Sequence, residues 1–420
     1  MDPSGSGRPS APVEDAREGL VAGAARTSAP GSVRTSVAAL SATGASIMPV
    51  MLFGALVVQI REDIPIGVVE LGAIAALFYL FAAVGSIPAG RLVDRLGWSR
   101  SLWIAMPLLT VPLLLIAALA TTTLQLTLLL ALTGLGTAVA QPAANLAIIR
   151  GVVPPRQGFA FGLKQAAIPA IMVASGAAVP LIALTVGWRW AFLGFGAVAL
   201  ALVLSAPLRA ERPTARLVAA DTGRARRLLR NPALVALLAA NMGSALAVNP
   251  LMAFFVESSV ERGIAAGLAG TLLAVGSMFG IASRLGVGWL TDRYQPSTDR
   301  MLRSMAGFAA VASPGFMLLG VFGDRPGPVL VGLLLALGSG FAWNGIFHQV
   351  VTRVWSDEPA SASGITQAGL WTGAMIGPLL FGLVATVSYT AAWILSGVFM
   401  ALCAVSLALA RRALAARAPG

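Results

Sequence analysis

Several polar side chains interrupt the long apolar stretches of this 420-residue chain, and their types and spacing limit the chemistry it can perform. Lys164 is the only lysine and lies about five residues, or about 8 Å, inside one apolar stretch if that stretch is helical. A cation at that depth can attract an anionic ligand. A lysine whose ammonium reaches back to the nearest polar surface would only anchor its helix. The sequence leaves both interpretations open.

Amide side chains recur at helical spacing in two places. Gln141 and Asn145 are four residues apart and share one helix face, and Asn344 and His348 repeat this spacing. Such residues either line a polar cavity or bond neighbouring helices, and His348, the only histidine, could titrate near neutral pH. As a set, they favour a cavity. The other residues that we assign to it are Gln165, Asn241, Asn249, Gln367 and Trp371.

Groups able to carry out catalysis are scarce. An active site needs paired carboxylates, a metal-ligand set or a nucleophile with its base. The apolar stretches offer one histidine and no carboxylate at mid-depth. Cys403 is the only cysteine, so we expect no intramolecular disulfide, no metal site and no cofactor. The pattern does not favour an enzyme.

The composition indicates that lipid surrounds most of the chain. Hydrophobic residues make up 57% and charged residues 11%, with a mean hydropathy of +0.83, whereas a soluble domain carries about 25% charged residues. The net charge of +12 could suggest nucleic acid. However, the arginines lie between apolar stretches instead of clustering with aromatics. We therefore expect a bilayer and a small molecule as partners, no nucleic acid, and a monomer.

Twelve apolar stretches are long enough to cross a bilayer as helices, which takes about 20 residues each. Their lack of strand-like alternation excludes a barrel, so the predicted fold class is an all-α integral membrane protein. The stretches lie near residues 37–60, 69–90, 100–120, 123–149, 159–186, 189–208, 232–256, 265–290, 302–322, 327–351, 363–388 and 390–410.

The predicted domains follow from these spans. Residues 1–36 are a disordered tail, 37–208 and 232–411 are two six-helix bundles, 209–231 is a basic linker, and 412–420 is a second tail. With both termini in the cytoplasm, the external loops hold only Arg61, Arg189, Arg262 and Arg325, while most other basic residues are cytoplasmic. This distribution fits the positive-inside rule for a multi-pass protein of a bacterial-type inner membrane.

The two halves repeat at an offset of about 200 residues, which indicates a duplicated unit. Residues 90–95 (GRLVDR) close the second span and residues 288–293 (GWLTDR) close the eighth. Residues 162–166 (GLKQA) in the fifth span likewise match residues 364–368 (GITQA) in the eleventh. Gln141 and Asn145 of the fourth span match Asn344 and His348 of the tenth.

This pattern resembles the major facilitator superfamily over roughly residues 37–411. Its most specific part is the loop after the second span, Gly90-x-Leu92-x-Asp94-Arg95-x-Gly97-x-x-Arg100, with a shorter copy at residues 288–293. The resemblance implies that this loop is a cytoplasmic latch between two bundles that rock about a central site. The implied latch residues are Gly90, Asp94, Arg95, Gly97, Arg100, Gly288, Asp292 and Arg293; a loop that only keeps positive charge inside is the alternative.

The resemblance also implies that the first, fourth, seventh and tenth spans line a central cavity, which the assigned amides would then face. The chain departs from many proton-coupled exporters of this family because its first and fourth spans lack an intramembrane carboxylate. Glu70 and Glu257, at span ends, remain candidates for coupling to a proton. Arg284 completes this set, although pairing across the interface between the halves is the favoured role for it.

The sequence therefore predicts an alternating-access carrier for a small organic solute, with export preferred. Proton-linked or facilitated uptake of a small organic anion is the alternative within this class. A membrane-embedded enzyme and a channel are more distant alternatives, since a channel needs neither the paired repeats nor the glycine-rich spans.

Overall fold

A computed structural model describes residues 30–152, 154–204, 227–355 and 359–416 of the chain. These residues are almost entirely helical and contain no strand. The helices are α1 (Pro30–Asp63), α2 (Val68–Leu96), α3 (Trp98–Leu119), α4 (Thr123–Gly151), α5 (Pro154–Ala178), α6 (Trp188–Leu204), α7 (Pro232–Glu261), α8 (Ala266–Tyr294), α9 (Thr298–Val321), α10 (Pro326–Ala342), α11 (Asn344–Val354), α12 (Pro359–Ala385) and α13 (Tyr389–Ala415).

The predicted fold class is confirmed. Within the described residues, 11 helical segments are long and apolar enough to cross a membrane, and the shorter apolar segment Trp188–Ala201 in α6 supplies a twelfth. Helices α10 and α11 together form the tenth crossing, with a break at Trp343. A π-helical segment, Val179–Ala183, extends α5. An all-helical arrangement is required because lipid offers no partner for unpaired backbone groups.

Helix boundaries differ from the sequence prediction at both ends of the chain. Helix α1 begins at Pro30 instead of near residue 37, since proline suits the first turn, where its missing N–H leaves no bond unmade. Helix α13 continues to Ala415, past the predicted end at residue 411. Residues 1–29, 205–226 and 417–420, which include most of the predicted tails and linker, lie outside the described part of the chain.

The helices pack as two bundles, α1–α6 and α7–α13. In the first, α4 packs against α1, α2 and α3; in the second, α13 packs against α7 and α9. The bundles meet through α1 with α7, α2 with α12, and α5 with α8. Because α12 is the eleventh crossing, exchanging the two halves maps the second–eleventh contact onto the eighth–fifth contact. The interface therefore has the twofold pseudosymmetry that a duplicated unit requires.

Glycines allow the bundles to touch at one end, which we call the closed end; it contains Asp63, Val68 and Ala385. A Cβ atom on Gly54 of α1 would collide with the backbone of Met252 and Ala253 in α7. A Cβ on Gly72 of α2 would lie 2.5 Å from the Pro378 carbonyl oxygen of α12. The same crowding occurs between α5 and α8, where Gly176 and Gly270 face each other. Only residues without a side chain permit this approach.

The opposite end, which contains Gly97 and Tyr294, is the open end. Here α2, α5, α8 and α12 carry glycines at which a Cβ would have nothing within 4 Å: Gly90, Gly162, Gly286, Gly288 and Gly364. The α2–α12 and α5–α8 pairs, which touch at the closed end, therefore make no such close contact at these open-end glycines. The interface between the bundles leaves a space that is accessible from the open end.

Gly54→Ala is expected to destabilise the closed end, because the new methyl group must displace backbone atoms of α7 and overpacking costs about 1–3 kcal/mol. The purified protein should melt several degrees below the wild type in a thermal-shift assay. Gly286→Ala is the matched control: it has open space and should be neutral or stabilising, since alanine favours a helix by up to about 1 kcal/mol. Equal melting temperatures for Gly54→Ala and the wild type would contradict the close contact.

Candidate functional site

The ammonium group of Lys164 is held by side chains of the first bundle. Lys164 lies on α5, its residue is 4% exposed, and its Nζ donates to Gln141 Oε1 at 2.9 Å and Asn145 Oδ1 at 2.8 Å on α4. The four-residue spacing of Gln141 and Asn145 places both oxygens on the face that meets α5. Both partners are neutral amides. The positive charge is therefore fixed in place but not neutralised by them.

Helix α1 completes this network with residues that the sequence analysis missed. Gln141 Nε2 donates to Ser46 Oγ at 2.9 Å, and Ser46 Oγ donates to the Thr43 carbonyl oxygen at 2.8 Å. Thr137 Oγ1 also donates to the Ser46 carbonyl oxygen, at 2.7 Å. Gln141 is thereby oriented with its oxygen toward Lys164. The signal available in the sequence was that Thr43 and Ser46, two hydroxyl residues of the first span, are three residues apart and so lie on one helix face.

Arg284 brings a second buried cation to the interface from the opposite bundle. It lies on α8, is 9% exposed, and donates from Nη1 to the Gln165 carbonyl oxygen of α5 at 2.7 Å. Its Nε donates to the Phe341 carbonyl oxygen at 3.3 Å, and its guanidinium carbon lies 5.5 Å from the centre of the Phe341 ring. Arg284 therefore bridges the two bundles next to Lys164 in the chain. No acidic side chain among the described residues forms an ion pair with either cation.

His348 and an aromatic pair lie in the same part of the interface. His348 on α11 is partly buried, and it is close enough to Lys164 and Arg284 for both charges to act on it. Trp371 on α12 lies across the interface from Tyr79 on α2, with 6.5 Å between the ring centres. The surroundings of the two cations therefore include aromatic as well as polar groups.

Other residues assigned to the cavity from the sequence have different surroundings. Asn241 is 3% exposed and donates to the Thr366 carbonyl oxygen of α12 at 2.9 Å, so it bonds two helices of one bundle. Asn249 donates to the Ala245 carbonyl oxygen of its own helix. Gln367 is partly buried, and the side chain of Asn344 lies outside the described set. A polar residue that finds a carbonyl on a neighbouring helix serves packing, which periodicity alone cannot distinguish from cavity lining.

At the closed end, a carboxylate joins the two bundles. Glu257 on α7 is 2% exposed, and its Oε1 lies 2.5 Å from Arg61 Nη1 on α1 and accepts a hydrogen bond of 2.8 Å from the Tyr389 hydroxyl. Glu257 is the only acidic residue that is buried among the described side chains. Glu70, the other carboxylate singled out from the sequence, is exposed in the first turn of α2. The sequence did not connect Arg61 or Tyr389 with Glu257, because both lie far from Glu257 along the chain.

The loop residues expected to form a latch lie at the open end. Gly97 joins α2 to α3 with a φ of 81°, a conformation that favours glycine. Gly90, another of the implied latch residues, lies within the regular turns of α2 and has no positive φ. Arg95, Arg100, Gly288 and Arg293 are exposed, and the side chains of Asp94 and Asp292 lie outside the described set. The latch remains a prediction.

Comparisons with known proteins agree with this architecture. The Major Facilitator Superfamily profile matches residues 37–368. A protein of Mycolicibacterium smegmatis named "MFS-type efflux pump" is 28% identical over 346 residues, which is 77% of this chain and 78% of that protein. Two crystal structures of a bacterial homologue of the human lysosomal transporter Spinster, both inward-facing, have similar folds at 15% identity. The unoccupied one gives a TM-score of 0.71 over 93% of this chain and 98% of that one; the occupied one gives 0.68 over 90% and 96%.

Glu257→Gln is expected to lower the melting temperature by several degrees, because removing one charge of this largely buried pair costs about 1–3 kcal/mol after allowing for partial exposure of Arg61. Arg61→Gln combined with Glu257→Gln should recover part of the loss, since no charge is then left unpaired. Arg303→Gln, which removes the exposed pair with Asp299 on α9, is the control and should leave the melting temperature unchanged. Additive losses in the double variant would show that Arg61 and Glu257 are not coupled.

Proposed function

We propose a function for this chain from its membership of the Major Facilitator Superfamily of membrane transporters, to which it belongs. It moves a small organic solute across the cytoplasmic membrane by alternating access, in the direction of export. The observation that carries this proposal is the pair of bundles that touch at the closed end and stand apart at the open end, with Lys164 and Arg284 between them. A carrier needs a site that one movement of the bundles can expose to either side in turn.

The distribution of basic residues supports an orientation with both termini in the cytoplasm of a bacterial cell. In that orientation the open end faces the cytoplasm and the closed end faces the exterior. The conformation would then be inward-facing, which is also the state named for the two Spinster-homologue structures. A solute would enter from the cytoplasm, reach Lys164, and leave after the closed end opens.

Export is preferred because the Mycolicibacterium smegmatis relative is named an efflux pump. Uptake of a small organic anion is the second candidate, and the absence of a carboxylate partner for Lys164 among the described residues favours an anion as the solute in either direction. Of the coupling candidates, Glu257 is the one we retain for a proton, because it is buried between the bundles whereas Glu70 is exposed. The lipid bilayer and the solute are the partners that this proposal requires, and a monomer suffices for it.

Proteoliposomes containing the purified protein test the proposal. Three aromatic solutes that differ chiefly in charge serve as probes: 2-naphthalenesulfonate, 2-naphthalenesulfonamide and 2-naphthyltrimethylammonium. A carrier should show saturable flux of at least one probe and counterflow, in which unlabelled probe inside accelerates entry of labelled probe. Empty liposomes are the control. Flux that rises linearly with concentration and lacks counterflow would indicate a channel, and a proton gradient without effect on flux would exclude proton coupling through Glu257.

A cysteine introduced by Gly364→Cys, at the open end of α12, reports both the orientation of the protein in the membrane and the effect of the latch on the open end. In a Cys403→Ser background, which removes the buried native thiol, a membrane-impermeant maleimide should label this cysteine in inverted membrane vesicles and not in intact cells. Asp94→Asn should increase labelling, because weakening a latch that holds the cytoplasmic end shut favours the inward-facing state. Labelling from outside the cell would reverse the orientation, and labelling unchanged by Asp94→Asn would count against the latch.

A further inference from the structure

We infer that Lys164 and Arg284, one from each bundle, jointly bind the anionic group of the transported solute, so that the substrate is an amphipathic organic anion. The inference rests on the proposed transport function and deepens it by naming the substrate class. Its basis is the placement of two buried cations at one interface without an acidic partner among the described side chains.

Lys164 retains a donor for a ligand. A lysine ammonium has three N–H donors, and the two bonds to Gln141 and Asn145 occupy two of them. Asn145, which accepts one of these two bonds, is itself exposed, so the network around the ammonium extends to an accessible side chain. The two amides act as positioning groups, because they hold the ammonium in a fixed direction and leave its charge available.

Arg284 retains more than one donor. A guanidinium has five N–H donors, and the described residues accept from only Nη1 and Nε. Its Nη2 donates to none of them, although the residue is more than nine-tenths buried. Two adjacent N–H groups of one guanidinium match the oxygens of a carboxylate, sulfonate or phosphate. Since Nη1 contacts the carbonyl of Gln165, the residue that follows Lys164, the guanidinium and the lysine backbone are neighbours.

The balance of charge around these groups favours an anion. Two buried cations repel each other and are poorly solvated, so an anion between them lowers the free energy and a third cation raises it. His348 is the third titratable group near them. The buried carboxylate Glu257 is at the closed end and already pairs with Arg61. Cationic solutes are therefore disfavoured by the same groups that attract an anion.

The apolar part of the ligand has aromatic neighbours available. Phe341 lies against the Arg284 guanidinium, and Trp371 and Tyr79 face each other across the interface. Tyr79 Oη has no hydrogen-bond partner among the described residues. This combination suits a molecule with one anionic group and an aromatic or aliphatic body.

Ligand binding by the purified protein tests the inference, with 2-naphthalenesulfonate as the anionic probe and 2-naphthalenesulfonamide as its neutral isostere. The wild type should bind the sulfonate at least about tenfold more tightly than the sulfonamide, and Lys164→Gln and Arg284→Gln should each remove about tenfold of the sulfonate affinity, because each loses a charged hydrogen bond. Sulfonamide affinity should change little. Lys164→Arg keeps the charge and should retain part of the preference, which a purely structural lysine would not predict.

Arg300→Gln is the control, since Arg300 is exposed on α9, a helix that packs against α10 and α13 of its own bundle. Size-exclusion profiles and melting temperatures identify any variant that does not fold. If Lys164→Gln does not fold, Lys164→Arg tests the role of this position instead. Equal wild-type affinity for the two probes, no sulfonate binding, or affinities unaffected by either substitution would overturn the inference. Counterflow of the sulfonamide or trimethylammonium probe with none of the sulfonate would also overturn it while the transport function stands; no flux of any probe would instead contradict the transport function.

Discussion

The fold depends on one constraint: a polar group that lies within lipid-embedded helices must find its partner inside the protein. The backbone meets this requirement by being helical throughout the described crossings. Lys164 and Arg284 meet it with amide and carbonyl oxygens, and Glu257 meets it with Arg61 and Tyr389. These three charges all lie where the two bundles face each other. Because lipid excludes them from the outer faces of the bundles, the interface is where charge is available for function.

The helices of the two bundles pack closely at one end of that interface and not at the other, and glycines make the close packing possible. At the closed end, α1 with α7, α2 with α12 and α5 with α8 approach until their backbones touch, which requires glycine at Gly54, Gly72 and Gly176. At the open end, glycines of α2, α5, α8 and α12 would meet nothing within 4 Å of an added Cβ atom. A helix packed equally closely along its whole length could not change its partner contacts without cost. Glycines that lack contacts in one conformation are suited to close approach in another, which fits a rocking movement.

Hydropathy and internal repeats were enough to predict the fold, because a crossing helix needs a long apolar run and a duplicated unit leaves matched motifs. They also predicted that Gln141 and Asn145 share a face, but not that Lys164 bonds both. The contact among Arg61, Glu257 and Tyr389 could not be predicted from the sequence. These residues lie on the first, seventh and twelfth crossings, and no rule of residue spacing connects them. Asn241 was assigned to the cavity because of its helix, but its side chain bonds a neighbouring helix instead. Tertiary packing decides between those outcomes.

A ligand held by both bundles differs in its effect from one held by a single bundle. A solute shifts a conformational equilibrium only by its difference in affinity for the two states. An anion that contacts Lys164 alone would bind almost equally well however the bundles rotate. An anion that also contacts Arg284 gains its second bond only when α5 and α8 are correctly placed relative to each other. The Arg284 guanidinium already reaches α5 without a ligand, so an anion that binds its remaining donors would add a charged contact to the carbonyl contact and draw the open end together. The free energy of anion binding by Lys164 and Arg284 would then favour closing the open end, whereas the Arg61–Glu257 contact favours keeping the closed end shut. The relative size of these two free energies determines which side of the membrane the site faces.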